Sequence, residues 1–175
     1  MEKNSNGAIT VREMPAMVVA SCFSTGRNPE GEVIRYMENW IKRNGLDYGK
    51  LRKFGFDIPV SEEQSKYGLR SFEFWVTVPE TTRESDGVRI KLIDPSHYAV
   101  YRIKNPYNDP QAAIRAGWKM LEEWAMRYKM NMKKEAVAAG DDDDEYFDEP
   151  ERYMLEEIVE TKDGVCLDLY FPLEK

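Results

Sequence analysis

Two groups of residues in this chain have the types and spacing to do chemistry. The first is a set of rings: Tyr67, Phe72, Phe74, Trp75, Tyr98, Tyr101, Trp118 and Tyr170, in a chain whose aromatic content is 12%. Such rings either pack a core or wall an apolar pocket, and Phe72, Phe74 and Trp118 suit a core at least as well. Trp75 is set apart by its neighbours. Phe72, Phe74 and Val76 alternate with Glu73, Trp75 and Thr77, so the strand face that carries the indole also carries a carboxylate and a hydroxyl. A large ring on a face of mixed polarity suits a pocket wall. The second group is Leu155-Glu156-Glu157-Ile158. Adjacent residues of a strand point to opposite faces, so one carboxylate faces inward among the rings, or both are solvated on an edge strand. A carboxylate among rings needs a cation, a hydrogen bond or a proton, and burial drives its pKa upward. That chemistry serves an anchor for a cationic ligand or a general acid/base. Of the two, Glu156 is the preferred inward residue.

Other chemistries lack their residues. Cys22 and Cys166 lie in apolar, strand-like stretches and read as buried free thiols. His97 is the sole histidine, which leaves no zinc cluster and no histidine-based triad. The acidic run Asp141 to Glu145 does not follow the spacing of a calcium loop and reads as a solvated loop. No phosphate-binding glycine loop, nucleophile elbow or HExxH pattern is present. No cofactor or metal is expected. The net charge of −7 repels phosphate backbones and anionic lipid surfaces, so neither nucleic acid nor membrane is an expected partner. Met1 to Asn6 holds no apolar stretch, and no run approaches the roughly 20 apolar residues of a membrane span. A cytoplasmic location is expected.

These residues need a frame, and the chain supplies one. Ile9 to Phe23 reads as strand with a break at Met14-Pro15. Asn28-Pro29 opens a helix with an N-cap residue and a first-turn proline, Val33, Ile34, Met37, Trp40 and Ile41 form its apolar stripe, and Asn44-Gly45 closes it. Lys53 to Pro59 and Ser71 to Pro79 read as a strand pair, with Val60 to Gly68 a polar surface loop. Val88 to Ile93 and Tyr98 to Ile103 read as another pair turned at Asp94-Pro95-Ser96. Asp109-Pro110 opens a second helix, striped by Ile114, Gly117, Trp118, Leu121, Trp124, Ala125 and Tyr128. Tyr153 to Glu160 and Val165 to Leu173 form a last hairpin around Asp163-Gly164.

The plan repeats. Pro15 corresponds to Pro95, Pro29 to Pro110 and Pro79 to Pro172, at offsets of 80, 81 and 93 residues. The excess falls in an acidic insertion over residues 136–149. The expected fold is therefore α+β: one domain over residues 1–175, made of duplicated β-α-β-β halves (8–80 and 87–175). Its antiparallel sheet has two helices on one face and a concave ligand pocket on the other.

Phe54-Gly55-Phe56-Asp57-Ile58-Pro59, Tyr67-Gly68, Phe72 to Pro79, Gly117 to Trp124, Tyr153 to Ile158 and Leu167 to Pro172 carry a resemblance across nearly the whole chain. It resembles the GyrI-like effector-binding domains of the SOUL superfamily, in particular a stand-alone subgroup that includes cyclopropanoid cyclopropyl hydrolases. The resemblance implies a concave, aromatic pocket with a central glutamate. It carries over to Glu156 or Glu157 as that glutamate, with Glu156 also the catalytic residue of an enzyme, and to Tyr67 and Trp75 as pocket rings. Tyr101, Trp118 and Tyr170 complete the candidate lining. Ile158 stands where the subgroup has histidine, which weakens the hydrolase inference more than the binding one.

Three functions follow as expectations. The first is binding of a lipophilic, cationic or neutral small molecule for sensing or sequestration, alone, as a homodimer or through a regulator partner. The second is hydrolysis of a cyclopropanoid or similar electrophile by a pocket glutamate. The third is regulation by protein contact, as in a gyrase inhibitor. A haem-carrier role by superfamily analogy is disfavoured because His97 sits at a turn.

Overall fold

The computed structural model describes residues 8–106, 108–139 and 153–173. The chain divides into two compact units, one of Pro15–Pro95 with Leu155–Val159, the other of Met1–Met14, Ser96–Met154 and Glu160–Lys175. Both boundaries near the repeated prolines come from the same cause: a proline lacks the N–H that would carry a ladder onward.

The Pro15–Pro95 unit contains β2 (Met17–Gly26), α1 (Pro29–Arg43), a 3₁₀ turn (Tyr48–Lys50), β3 (Lys53–Ile58), α2 (Glu62–Lys66), β4 (Arg70–Thr77) and β5 (Arg89–Ile93). The segment of β7 (Leu155–Thr161) up to Val159 also belongs to it. The strands pair antiparallel in the order β7-β3-β4-β2-β5. Val33, Met37, Trp40 and Ile41 of α1 pack on Ala20, Cys22, Phe72, Phe74 and Val76 to form its core. The recurrence of these helix positions at three- and four-residue intervals is what keeps them on one stripe. Asn28 stands before the helix but its side chain makes no capping bond, so Pro29 does the preorganising. The other end follows the sequence closely: Gly45 takes φ 73°, and its N–H and that of Leu46 return to the Lys42 and Ile41 carbonyls at 3.0 and 3.1 Å.

In the other unit, β1 (Thr10–Met14) pairs with β6 (Ser96–Lys104), which pairs with β8 (Gly164–Pro172), all antiparallel. The long helix α3 (Pro110–Ala139) lays Leu121 and Ala125 on Ala99, Tyr101, Ile103, Leu167 and Leu169. Gly117 permits that approach, since a Cβ there would stand 2.6 Å from Leu169 Cδ1. Each unit thus holds a strand, a proline-started helix and returning strands, as the duplication implies.

Two expectations are corrected. The strands around Asp94-Pro95 do not pair with each other: β5 joins β2, and β6 joins β1 and β8. A two-residue turn here needs positive φ at Asp94, which precedes a proline and is not among the positive-φ residues. The loop 60–68 contains α2, started by a capping box in which Ser61 Oγ accepts from Gln64 N–H at 3.1 Å and Gln64 Oε1 accepts from Ser61 N–H at 3.0 Å. Residues 136–139 of the expected insertion continue α3, and the acidic run Asp141 to Glu145 lies outside the described residues. No helix among the described residues is long and apolar enough to cross a membrane, and among them no group of three or more His, Cys, Asp and Glu could hold a metal.

Candidate functional site

The period-2 geometry of β2, β3, β4 and β5 sorts their residues onto two faces. Phe72, Phe74 and Val76 turn toward α1. Glu73 and Trp75 turn away from it, beside Phe23 and Ser21 of β2 and Phe56 and Phe54 of β3, their cross-strand partners. Lys91 of β5 lies across from Val19 on that same face.

Glu73 is its centre. The residue is 8% exposed, and its Oε1 accepts from Ser21 Oγ at 2.6 Å, from Trp75 Nε1 at 2.7 Å and from Lys91 Nζ. Burial pushes the Glu73 pKa up, but the hydrogen bonds from Lys91, Ser21 and Trp75 and the Lys91 charge together outweigh it and hold the group below its ordinary 4.5. Oε2 accepts no hydrogen bond from the described residues, and it is not among buried polar atoms lacking a partner, so it reaches open space. The Trp75 ring is fully buried, with Phe56 edge-on at 5.0 Å and the Lys91 ammonium 5.9 Å from its centroid.

The open space is a cavity of about 670 Å³ lined by Ser21, Phe23, Ile58, Glu73, Arg89 and Lys91, with Gln64 of α2 and Gly87 among its further walls. It arises because β5 stops at Arg89, opposite Ser21, while β2 runs on to Gly26. The chain reverses there through a Ser85–Val88 bridge, with Asp86 and Gly87 at φ 52° and 78°. Beyond β2 the missing strand leaves a notch, and the Phe23 ring stands 67% exposed in it. A smaller cavity of about 370 Å³ shares Cys22, Phe23 and Gly87 and extends toward Glu32, Val33 and Tyr36 of α1. Burial, and secondarily the Glu73 charge, push the Cys22 thiol up to about 11, so it stays protonated and is no nucleophile at neutral pH.

The sequence candidates fall in several places. Trp75 and Glu157 share one face, because Glu157 lies across from Phe54. Glu157 is 6% exposed and takes Arg52 as a bidentate partner, at 2.8 Å from Nε and 3.0 Å from Nη2, with that guanidinium 4.9 Å from the Phe54 ring centroid. Glu156 lies across from Gly55 and therefore turns to the α1 side, opposite to the preferred assignment. Tyr67 is the C-cap of α2 and 67% exposed. Tyr101 is in the α3-side core, where burial raises its pKa, and Trp118 packs against the same core. Tyr170 is buried against Tyr98, edge-on at 5.7 Å. The cavity around Glu73 thus takes none of Tyr67, Trp75, Glu156, Glu157, Tyr101, Trp118 and Tyr170 into its lining, although Trp75 bonds Glu73 from beneath it. Sequence reasoning named Glu73 only as a neighbour of Trp75 and missed Ser21, Phe23, Arg89 and Lys91. The signal was the alternation in β4, which put Glu73 on the indole's face.

No protein-family model matches the chain, and no curated protein matches it. Solved structures do. The crystal structure of the EcmrR C-terminal domain is similar at TM-score 0.64 and 15% identity, over 96% of this chain and 98% of that one. The same TM-score and 14% identity relate it to EcmrR in its DNA complex, where the match spans 96% of this chain but 57% of the EcmrR chain. SAV2435 bound to tetraphenylphosphonium matches more loosely, at TM-score 0.46 and 11% identity, over 96% and 94% of the two chains. The α+β GyrI-like fold implied by the sequence resemblance is the fold of this chain.

Proposed function

We propose that this chain binds a planar, lipophilic small molecule in the Glu73 cavity, as a sensor or a store. One observation carries the reading: a buried, ionised carboxylate is locked through one oxygen by Ser21, Trp75 and Lys91 while its second oxygen opens into a cavity of about 670 Å³. That volume lies within the range of small-molecule sites, and few convergent polar groups in a partly apolar hollow fix a ligand's orientation. Phe23 and Ile58 supply apolar contact, and Oε2 of Glu73 accepts from a hydroxyl or N–H of the guest. The likeness to the EcmrR C-terminal domain supports the fold on which such a site is built.

Hydrolysis draws less support from this geometry. A carboxylate that already accepts three hydrogen bonds and is held below its ordinary pKa is a weak base, and it is no acid at neutral pH. Binding without turnover is the expected outcome.

Glu73→Gln tests the site cleanly. Oε1 remains in place for Ser21 and Trp75, so the side-chain NH₂ takes the position of Oε2 and turns the cavity's acceptor into a donor. Calorimetry with 2-naphthol and 2-methoxynaphthalene is the measurement. Saturable binding of both, with naphthol alone weakened about fivefold to tenfold in the variant, is expected. No saturable binding by either compound, or equal affinities in wild type and variant, would sink the reading.

A further inference from the structure

The cavity's own charges select among lipophilic guests. Its charged lining residues are Glu73, Arg89 and Lys91, one anion against two cations. The anion's charge is already paired, since the Lys91 ammonium is bonded to its Oε1. A cationic guest that donates to Oε2 would share this one carboxylate with the Lys91 ammonium and stand beside that like charge in the same cavity. Arg89 is differently placed. Its side chain is 74% exposed, and its one ion pair, to Glu84, is long at 3.4 Å between two solvated groups, a pairing worth little. Arg89 and Lys91 are alternate residues of β5, so they share a face about 6.8 Å apart along the strand. An anion seated between them meets the guanidinium and the outer side of the ammonium without disturbing Glu73.

From this arrangement we infer that the cavity takes an aromatic hydroxy acid: a planar apolar body, a hydroxyl donated to Glu73 Oε2, and a carboxylate held between Arg89 and Lys91. The inference rests on the binding reading above and adds the sign of the guest's charge to it. The chain's net charge of −7 opposes anions at long range, but salt screens that field within about 8 Å, while the two cations act in contact.

A matched charge series on one scaffold separates the two readings. Calorimetry would compare 6-hydroxy-2-naphthoate, its primary amide and the corresponding 2-aminomethyl cation at neutral pH. Wild type should bind the carboxylate about fivefold to tenfold more tightly than the amide, and the cation most weakly. Arg89→Gln, at an exposed position that leaves the core untouched, should shrink the carboxylate's advantage over the amide about threefold to fivefold. Lys91→Met removes the ammonium from Glu73 and should move the cation ahead of the carboxylate. If the amide binds and the carboxylate gains nothing over it, or if the cation is tightest in wild type, the charge assignment is overturned and the binding site stands. If no member binds, both fall together.

Discussion

Glu73 carries its three hydrogen bonds on one oxygen, and that arrangement fixes how the protein responds to acid. The folded state holds the group below 4.5, the value it has in the unfolded chain, so the unfolded state takes up the proton first. The stabilisation is therefore complete above 4.5 and is lost as pH falls from there through the folded pKa. Urea titrations over pH 3 to 6 should show wild type losing stability below about 4.5 faster than Glu73→Gln, which has no carboxylate to protonate at this site. Parallel curves would mean that Lys91 and Ser21 do not stabilise the charge. The same residue shows how far the sequence could be read. Alternation in β4 was enough to put Glu73 beside Trp75, because a strand's side-chain period is fixed. Its neutralising partner was out of reach, because Lys91 arrives on β5, whose pairing with β2 depends on distant register. Choosing between Glu156 and Glu157 failed for a related reason: their faces are set by Phe54↔Glu157 across β3 and β7, a pairing that no local pattern encodes.

At the level of elements, local chemistry was legible wherever a short signal dictates backbone shape. Pro29 and Pro110 start helices, Gly45 ends one, and Asp163-Gly164 turns the chain after β7, where Thr161 Oγ1 donates to the Gly164 carbonyl at 2.7 Å. The capping box of α2 was equally local, Ser61 with Gln64 three residues later, and was passed over because the segment holds no apolar stripe. The close packing of β3 on β4 was not legible. Gly55 leaves the space that the Phe72 ring fills on the α1 side, and a Cβ there would fall against the ring's Cζ. Gly55→Ala should therefore destabilise the protein by about 1–3 kcal/mol, measured by urea unfolding. Adding Phe72→Leu, which withdraws the ring, should narrow the gap between Gly55→Ala and its parent; an alanine tolerated at no cost would show that the ring moves aside freely.

At the scale of the whole chain, the duplication gives both units a sheet face turned away from its helix, yet they are furnished differently. In the Pro15–Pro95 unit that face holds Glu73 with one oxygen open and a cavity beside it. In the other unit the face turned away from the helix carries Asp168, fully buried and occupied by Arg102 at 2.6 and 2.7 Å and Arg12 at 3.3 Å. A carboxylate closed on both oxygens by two guanidiniums holds strands together and offers nothing to a guest. The chain's four tryptophans report on this asymmetry, because Trp40 and Trp75 belong to the first unit and Trp118 and Trp124 to the second. Trp75 donates directly to Glu73, so a guest that bonds Oε2 alters the indole's hydrogen bond and its emission. The ligand-induced change in fluorescence should survive Trp118→Phe and Trp124→Phe with its amplitude intact. It should disappear in Trp75→Phe, while calorimetry still detects binding through the cavity's walls, which do not include Trp75. A response that follows Trp118 instead would move the binding site to the α3 unit and return Tyr101 and Tyr170 to candidacy. Persistence of the signal in all three variants would assign it to Trp40, which donates to Ser85 Oγ at 2.9 Å close to where the chain reverses into β5.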